Sequence, residues 1–202
     1  MPMVHVLIDN AGGEDGEIRK SPDGIVKEWL LTRQVAMILH QRLLAAGIPA
    51  TRIVPENIDV PLSDRARRVN AINDRIMSAG GSCILVSVSC SMSGRGHTWY
   101  NASGFSAHVP RNAKASSIEL SKCLWTSAIK YELDGTSEIP QNRYLISDTD
   151  LCWRCKCTNA EARLIYLDNR DDNMRVRNRT TLDNYSMALC EGIRVFIKKF
   201  KL

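Results

Sequence analysis

The chain has 202 residues, of which 44% are hydrophobic and 24% charged; this composition excludes a disordered chain and is long enough to bury a core without cross-links. The formal net charge of +5 favours an anionic partner over an acidic-protein role, yet the basic residues are scattered and form no stripe interleaved with aromatics, so nucleic acid is not expected. Seven cysteines, an odd number, make no disulfide framework for a domain of this size and point to a reducing compartment.

The amino terminus enters an apolar run at Val4–Ile8 that is too short for a signal peptide, and no small-residue cleavage site follows it. No segment approaches the roughly 20 apolar residues of a membrane span. The expectation is therefore a cytoplasmic protein, or one released by a route the sequence does not encode. Val4–Ile8 reads as a buried strand, broken by Asn10-Ala11-Gly12-Gly13. Ser21-Pro22-Asp23 precedes a helical pattern in which Val26, Trp29, Leu30, Ala36, Leu39, Leu43 and Leu44 share one apolar face. Gly47-Ile48-Pro49 stops it.

Ala50–Val54 is the next strand. Ser63 is placed to cap a helix marked by Ala66, Val69, Ile72 and Ile76, which Gly80-Gly81 ends. Cys83–Val88 reads as a central strand. The polar stretch Ser89–Gly104 is long for a connector and reads as a functional loop. Phe105–Val109 is a further strand. A helix capped by Ser116 or Ser117 carries Leu120, Leu124, Ala128 and Tyr131. Residues 134–158 show no regular pattern, Leu164–Leu167 is a short strand, and Leu182, Tyr185, Leu189, Ile193 and Phe196 mark a last helix. Strands alternating with helices imply a single domain over residues 1–202, a three-layer α/β fold whose mostly parallel sheet is flanked by helices on both faces. Ligands in such folds gather beyond the carboxyl ends of strands, which directs attention to the loops starting at Asn10, Ser89 and Asp168.

Other constellations are weaker. Cys152-Trp153-Arg154-Cys155-Lys156-Cys157 has a spacing that can share a metal, but no second ligand pair lies nearby in sequence, and ordinary reduced thiols are the expectation. His5 and His40 read as structural, and His97, in a glycine loop beside the expected cleft, is the one histidine considered for a site. Gly12-Gly13-Glu14-Asp15-Gly16 lacks the lysine and spacing of a phosphate loop. Ser87, Ser89 and Ser91 sit in no nucleophile elbow.

Several of these pieces together resemble the type-3 zinc N-acetylmuramoyl-L-alanine amidases. Ile8-Asp9-Asn10 with its glycine turn, Ser21-Pro22-Asp23-Gly24 with Lys27-Glu28-Trp29, Leu62–Asn70, Val86-Ser87-Val88, Trp99–Phe105, Leu167–Asp172 and Glu191-Gly192-Ile193 are similar to successive segments of that family. The resemblance weakens over residues 134–158. It implies a hydrolase of peptidoglycan in which two histidines and a glutamate hold zinc and a second glutamate is the general base. Three protein ligands leave an open position where zinc activates water, and the base takes the water's proton.

Carried over residue by residue, the ligand positions are Gly12, Glu28 and Ser89, and the general-base position is Arg163. Glu161, two residues earlier, is the nearest alternative carboxylate. Asn10, Trp99 and Asn101 fall on substrate-side positions. One ligand of three does not hold zinc, so no cofactor is expected although the family uses one. Arg163 is expected to pair with Glu28 across the former metal site. The resemblance thus implies peptidoglycan or muropeptide fragments as partners, with little or no turnover. The alternatives are a non-catalytic binding module and an engineered sequence on the amidase fold.

Overall fold

The computed structural model describes residues 4–17, 19–136 and 144–202. A six-stranded sheet runs in the order β2-β1-β3-β6-β4-β5, formed by β1 (Val4–Asn10), β2 (Ala50–Arg52), β3 (Ser82–Ser91), β4 (Ser106–Val109), β5 (Leu145–Ile146) and β6 (Thr158–Tyr166). All pairings are parallel except β4 with β6. Helices α1 (Glu28–Ala45), α3 (Ala115–Lys130) and α6 (Arg179–Phe200) pack together on one face, and α2 (Leu62–Ser78) and the short α4 (Asp150–Arg154) on the other. A further short helix, α5 (Arg170–Val176), follows β6. The three-layer α/β expectation holds.

The strands divide their residues between the two cores by the period of two. Val6, Ile8, Ile84, Val86, Val88, Ala160, Ala162 and Leu164 face the larger core under α1, α3 and α6. On the other face, Leu7, Cys83 and Leu85 join Val54, Val60, Ala66, Val69 and Ile76 beneath α2. Toward the carboxyl ends of the strands that second face turns polar, with Asp9, Ser87, Ser89, Glu161 and Arg163 in place of aliphatic residues.

Local structure departs from the sequence reading at four places. Helix α1 begins at Glu28 rather than near Asp23, because Ser21–Gly24 closes into a turn: Ser21 Oγ donates to Asp23 and the Gly24 amide donates to the Ser21 carbonyl. Leu30 and Leu44 are exposed, and the buried face of α1 runs instead through Leu31, Val35, Ala36, Leu39 and Leu43. The expected serine caps are not used: α2 starts after Pro61 and α3 after Lys114, each without a side-chain cap, so Ser63, Ser116 and Ser117 lie inside their helices. Strand β6 is nine residues long and starts at Thr158, inside the stretch without a regular pattern. Part of that stretch, residues 137–143, lies outside the described residues.

Candidate functional site

Registers across the sheet line up two polar rows. Asp9 pairs with Ser87, Ser87 with Glu161, and Glu161 with His108. One step on, Ser89 pairs with Arg163 and Arg163 with Ser106. Of these, Ser87, Ser89, Glu161 and Arg163 line a cavity of about 240 Å³ that α2 borders through Leu62 and Arg65, and that residues 148–152 and Arg19 also border. The cavity lies where the parallel strands end in side chains rather than in more core, as expected for ligand sites of open α/β sheets.

Three carboxylates approach this place, and each has its own guanidinium. Arg19 Nη1 donates to both oxygens of Glu28, at 2.7 and 2.9 Å. Its Nη2 reaches the Cys90 carbonyl at 3.1 Å, and the Cys90 amide donates back to Glu28 at 2.8 Å. Arg163 donates through Nε and Nη2 to the two oxygens of Glu161, at 3.1 and 3.3 Å, and Ser89 Oγ donates to the same carboxylate at 2.5 Å. Arg65 lies 3.5 Å from Asp9, to which Ser87 Oγ donates at 2.8 Å. Arg163 therefore does not pair with Glu28. It shares a strand and a face with Glu161, and that short reach wins over a partner on another element.

Burial pushes the Glu28 carboxyl above its ordinary range, while Arg19 and the Cys90 amide pull it down and the nearby Glu161 charge pushes it up again. Asp9, wholly buried, is raised for the same first reason and held back by Arg65 and Ser87. Beside the row, His108 bonds Ser147 through Nδ1 at 2.9 Å and Ser106 through Nε2 at 2.8 Å. Burial, then Arg163, holds its pKa down to about 3.

The loop carrying Gly12 is fixed from beneath. Arg33 donates to the carbonyls of Gly12, Glu56 and Ile58 at 2.8, 2.8 and 3.0 Å, which ties the loop after β1 to the loop before α2. Gly12 itself has φ +72°, and a Cβ there would stand 3.3 Å from Cβ of Trp29. A branched or ring-bearing residue meets strain at this position.

Of the remaining sequence-derived residues, Cys152 borders the cavity, and Asn10, Trp99, Asn101 and His97 do not line it. Asn10 is fully buried; its backbone carbonyl accepts from Arg65 at 3.2 Å, and its side-chain amide has no partner. Trp99 is covered by the Arg170 guanidinium, 5.3 Å from the ring centroid. Asn101 is exposed, its carbonyl held by Thr136 and Asn169. His97 is exposed on the loop after β3. All seven cysteines are free thiols, and burial pushes Cys155 and Cys157 up to about 12. Among the described residues no group of three His, Cys, Asp or Glu side chains is placed to hold a metal ion.

Sequence reasoning missed Arg19, Arg65, Asp9 and Ser87. The signal was present for the last two: polar residues of one parity, at 9, 87, 89, 161 and 163, interrupt strands that are otherwise buried and apolar. Arg19 left no such trace, since its loop has no period.

The chain matches no family model and no curated protein sequence. Its fold has clear counterparts. It superposes on an N-acetylmuramoyl-L-alanine amidase from Clostridium difficile 630 with TM-score 0.82, at 16% identity over 98% of each chain. It is similar to the amidase Ami1 of Mycobacterium smegmatis, with TM-score 0.79 and 13% identity over 98% of this chain and 97% of that one. The catalytic domain of the amidase CwlV from Bacillus (Paenibacillus) polymyxa var. colistinus gives TM-score 0.78 and 12% identity, over 97% and 99% of the two chains. At these identities the likeness is one of fold: the chain has the three-layer fold of N-acetylmuramoyl-L-alanine amidases.

Proposed function

We propose that the chain is an amidase-fold protein that binds peptidoglycan fragments and does not cleave them. The pairing of the site's carboxylates with arginines carries this reading. A zinc amidase needs donor atoms free to face the metal. Here Glu28 has both oxygens on Arg19, the Ser89 hydroxyl is given to Glu161, and position 12 offers no side chain. A guanidinium repels a cation brought close. The residues present do not fit the zinc that the resemblance implies, and no hydrolytic step is derived through it.

What the cavity offers is recognition. Serine hydroxyls, the Thr149 hydroxyl and the outer edges of three guanidinium groups surround a volume of about 240 Å³, matched to a short polar segment such as the peptide or lactyl portion of a muropeptide. Thr149 is buried with its Oγ1 unpartnered, a group that a bound ligand satisfies.

Two measurements on the purified chain test the proposal. Incubation with peptidoglycan and added zinc is expected to free no L-alanine amino termini, and co-sedimentation with insoluble peptidoglycan is expected to retain the protein. Release at the rate of an ordinary amidase, or stoichiometric zinc by elemental analysis, removes the non-hydrolytic reading. Failure to co-sediment removes the cell-wall reading.

A further inference from the structure

A second cavity, larger than the polar one, lies away from it. It is an open groove of about 1200 Å³ between the last turn of α1, the end of α3 and the carboxyl-terminal half of α6. Ile48, which lines it, leads into β2, so the groove sits by the amino ends of the strands, opposite the polar cavity.

The floor is apolar: Ala45, Ala46, Ile48, Met187, Val195 and Ile197. Val195 remains 44% exposed and the adjoining Leu44 49%, a water-facing apolar strip that no described residue covers. The rim is cationic. Arg42, Arg194, Lys198 and Lys201 border it, and the one acidic residue, Glu191, is bound by Lys130 at 2.6 Å and Tyr131 at 3.2 Å. Arg42 has Asp183 at 3.2 Å. Among the described residues, Arg194, Lys198 and Lys201 form no ion pair.

We propose that this groove docks an acidic amphipathic helix of a partner protein. The charge asymmetry selects an acidic occupant, because three cationic side chains without an ion-pair partner flank an apolar floor and the one acidic side chain on it is already engaged. The same asymmetry disfavours a second copy of this chain, which would bring a molecule of charge +5 against a cationic rim. Concavity selects a convex partner over a flat bilayer. The groove follows α6 from Met187 to Lys198 and beyond, a run of roughly 20 Å at 1.5 Å per residue. That length takes about four turns of a helix laid into it, with apolar side chains at i, i+3, i+4 and i+7 on the floor and acidic residues on both flanks.

The probe is a fluorescein-labelled synthetic helix of about 14 residues, leucine on one face and glutamate on its flanks, with a twin carrying lysine for glutamate. Anisotropy titration against the full chain is expected to show saturable binding of the glutamate peptide and none of the lysine twin. The double reversal Arg194→Glu with Lys198→Glu is expected to weaken binding by about tenfold or more, as is raising salt from about 50 to 500 mM. Ala45→Trp, which fills the groove at an exposed position without changing charge, is expected to weaken it comparably. Reversal of Arg67 and Arg75 on α2 is expected to leave it unchanged. Circular dichroism reports whether each variant is folded, and the two exposed charge reversals carry the test if the tryptophan variant is not. Equal binding of the lysine twin, or binding indifferent to the groove variants, overturns the proposal. So does tighter association with phosphatidylglycerol vesicles than with the peptide, which would assign the face to a membrane. Dimerisation at low salt by sedimentation equilibrium, lost in the charge reversal, would assign it to a second copy.

Discussion

His108 is 5% exposed, with serine hydroxyls on both ring nitrogens and Arg163 nearby, and its pKa is held down to about 3 from an ordinary 6.5. A neutral imidazole needs one donor and one acceptor as partners, and hydroxyls supply both by rotation. In the unfolded chain the same ring takes a proton as pH falls through about 6.5. Between that value and about 3 the unfolded state binds more protons than the folded one, so stability falls as pH falls across this window. His108→Gln keeps two hydrogen-bonding groups and removes the titration. Its urea midpoint, measured against pH, is expected to lie below the parent's at pH 8 and to decline less steeply between pH 6.5 and 5, above the range where ordinary carboxylates titrate. Parallel slopes would mean that the ring does not carry the effect. Arg19 makes the opposite case. Its side chain is 40% exposed over a Glu28 side chain that is 4% exposed, so the pair is screened on one side only. Arg19→Met leaves the buried carboxyl with the Cys90 amide alone, and the expected loss is about 1–2 kcal/mol at neutral pH after allowing for solvent screening. The folded Glu28 pKa, already raised by burial, rises further in this variant. Between the parent's raised Glu28 pKa and the variant's higher one, only the variant's folded state holds that proton, so the deficit against the parent grows as pH rises through this window, above the ordinary carboxylate range, and shrinks below it. A deficit independent of pH would show that Arg19 acts by packing.

Among the elements, the loop after β1 depends on close backbone approach. A Cβ on Gly13 would fall 1.9 Å from the Asp59 amide nitrogen and 2.3 Å from its Cα, whereas one on Gly24, at φ +73°, meets nothing within 4 Å. Gly13→Ala must therefore push the loop before α2 away, against the three carbonyls that Arg33 holds, and is expected to cost about 2–3 kcal/mol. Gly24→Ala suffers only the backbone strain, about 1 kcal/mol. Urea unfolding of the two variants side by side checks the order, and a Gly24 variant as damaged as the Gly13 one would contradict it. Legibility of the elements follows the same physics. Strands β1 and β3 were readable because a continuous apolar run precedes their polar carboxyl ends, and helices α3 and α6 because their apolar period is unbroken. Strand β6 was read as only its last few residues because the apolar positions of its first half are Ala160 and Ala162, small residues with little strand preference, set between Asn159, Glu161 and Arg163. Those residues face the polar cavity or its surroundings, so the strand was obscured by the side chains that make the site. The start of α1 was misplaced for a different reason: Ser21 and Asp23 can cap a helix or close a turn, and here both are used in the turn. Glu28 is singled out by the resemblance, but its partner is not, because Arg19 reaches it from a loop with no period.

At the scale of the whole molecule, two apolar cores lie on opposite faces of one sheet, and neither is closed without it. The larger core joins α1, α3 and α6, with Gly192 of α6 letting the two helices meet closely: a Cβ there would stand 2.8 Å from Cα of Leu124. The smaller core under α2 consists of side chains from the alternate positions of the same strands. Loss of α2 would strip one face of β1 and β3 and leave their backbones without the packing that keeps them paired, so the second core has no folded state independent of the first. The buried thiols report on each core separately: Cys90 lies in the larger, while Cys83 and Cys157 lie in the smaller. Burial raises the pKa of all three, so labelling requires that the region open. Thiol labelling with mass-spectrometric assignment along a urea series is expected to give one midpoint for all three cysteines, coincident with the loss of helical circular dichroism. A midpoint for Cys83 and Cys157 clearly below that of Cys90 would show that the α2 layer melts first, and the polar cavity, whose wall includes Arg65 of α2, would then dissolve before the rest of the fold.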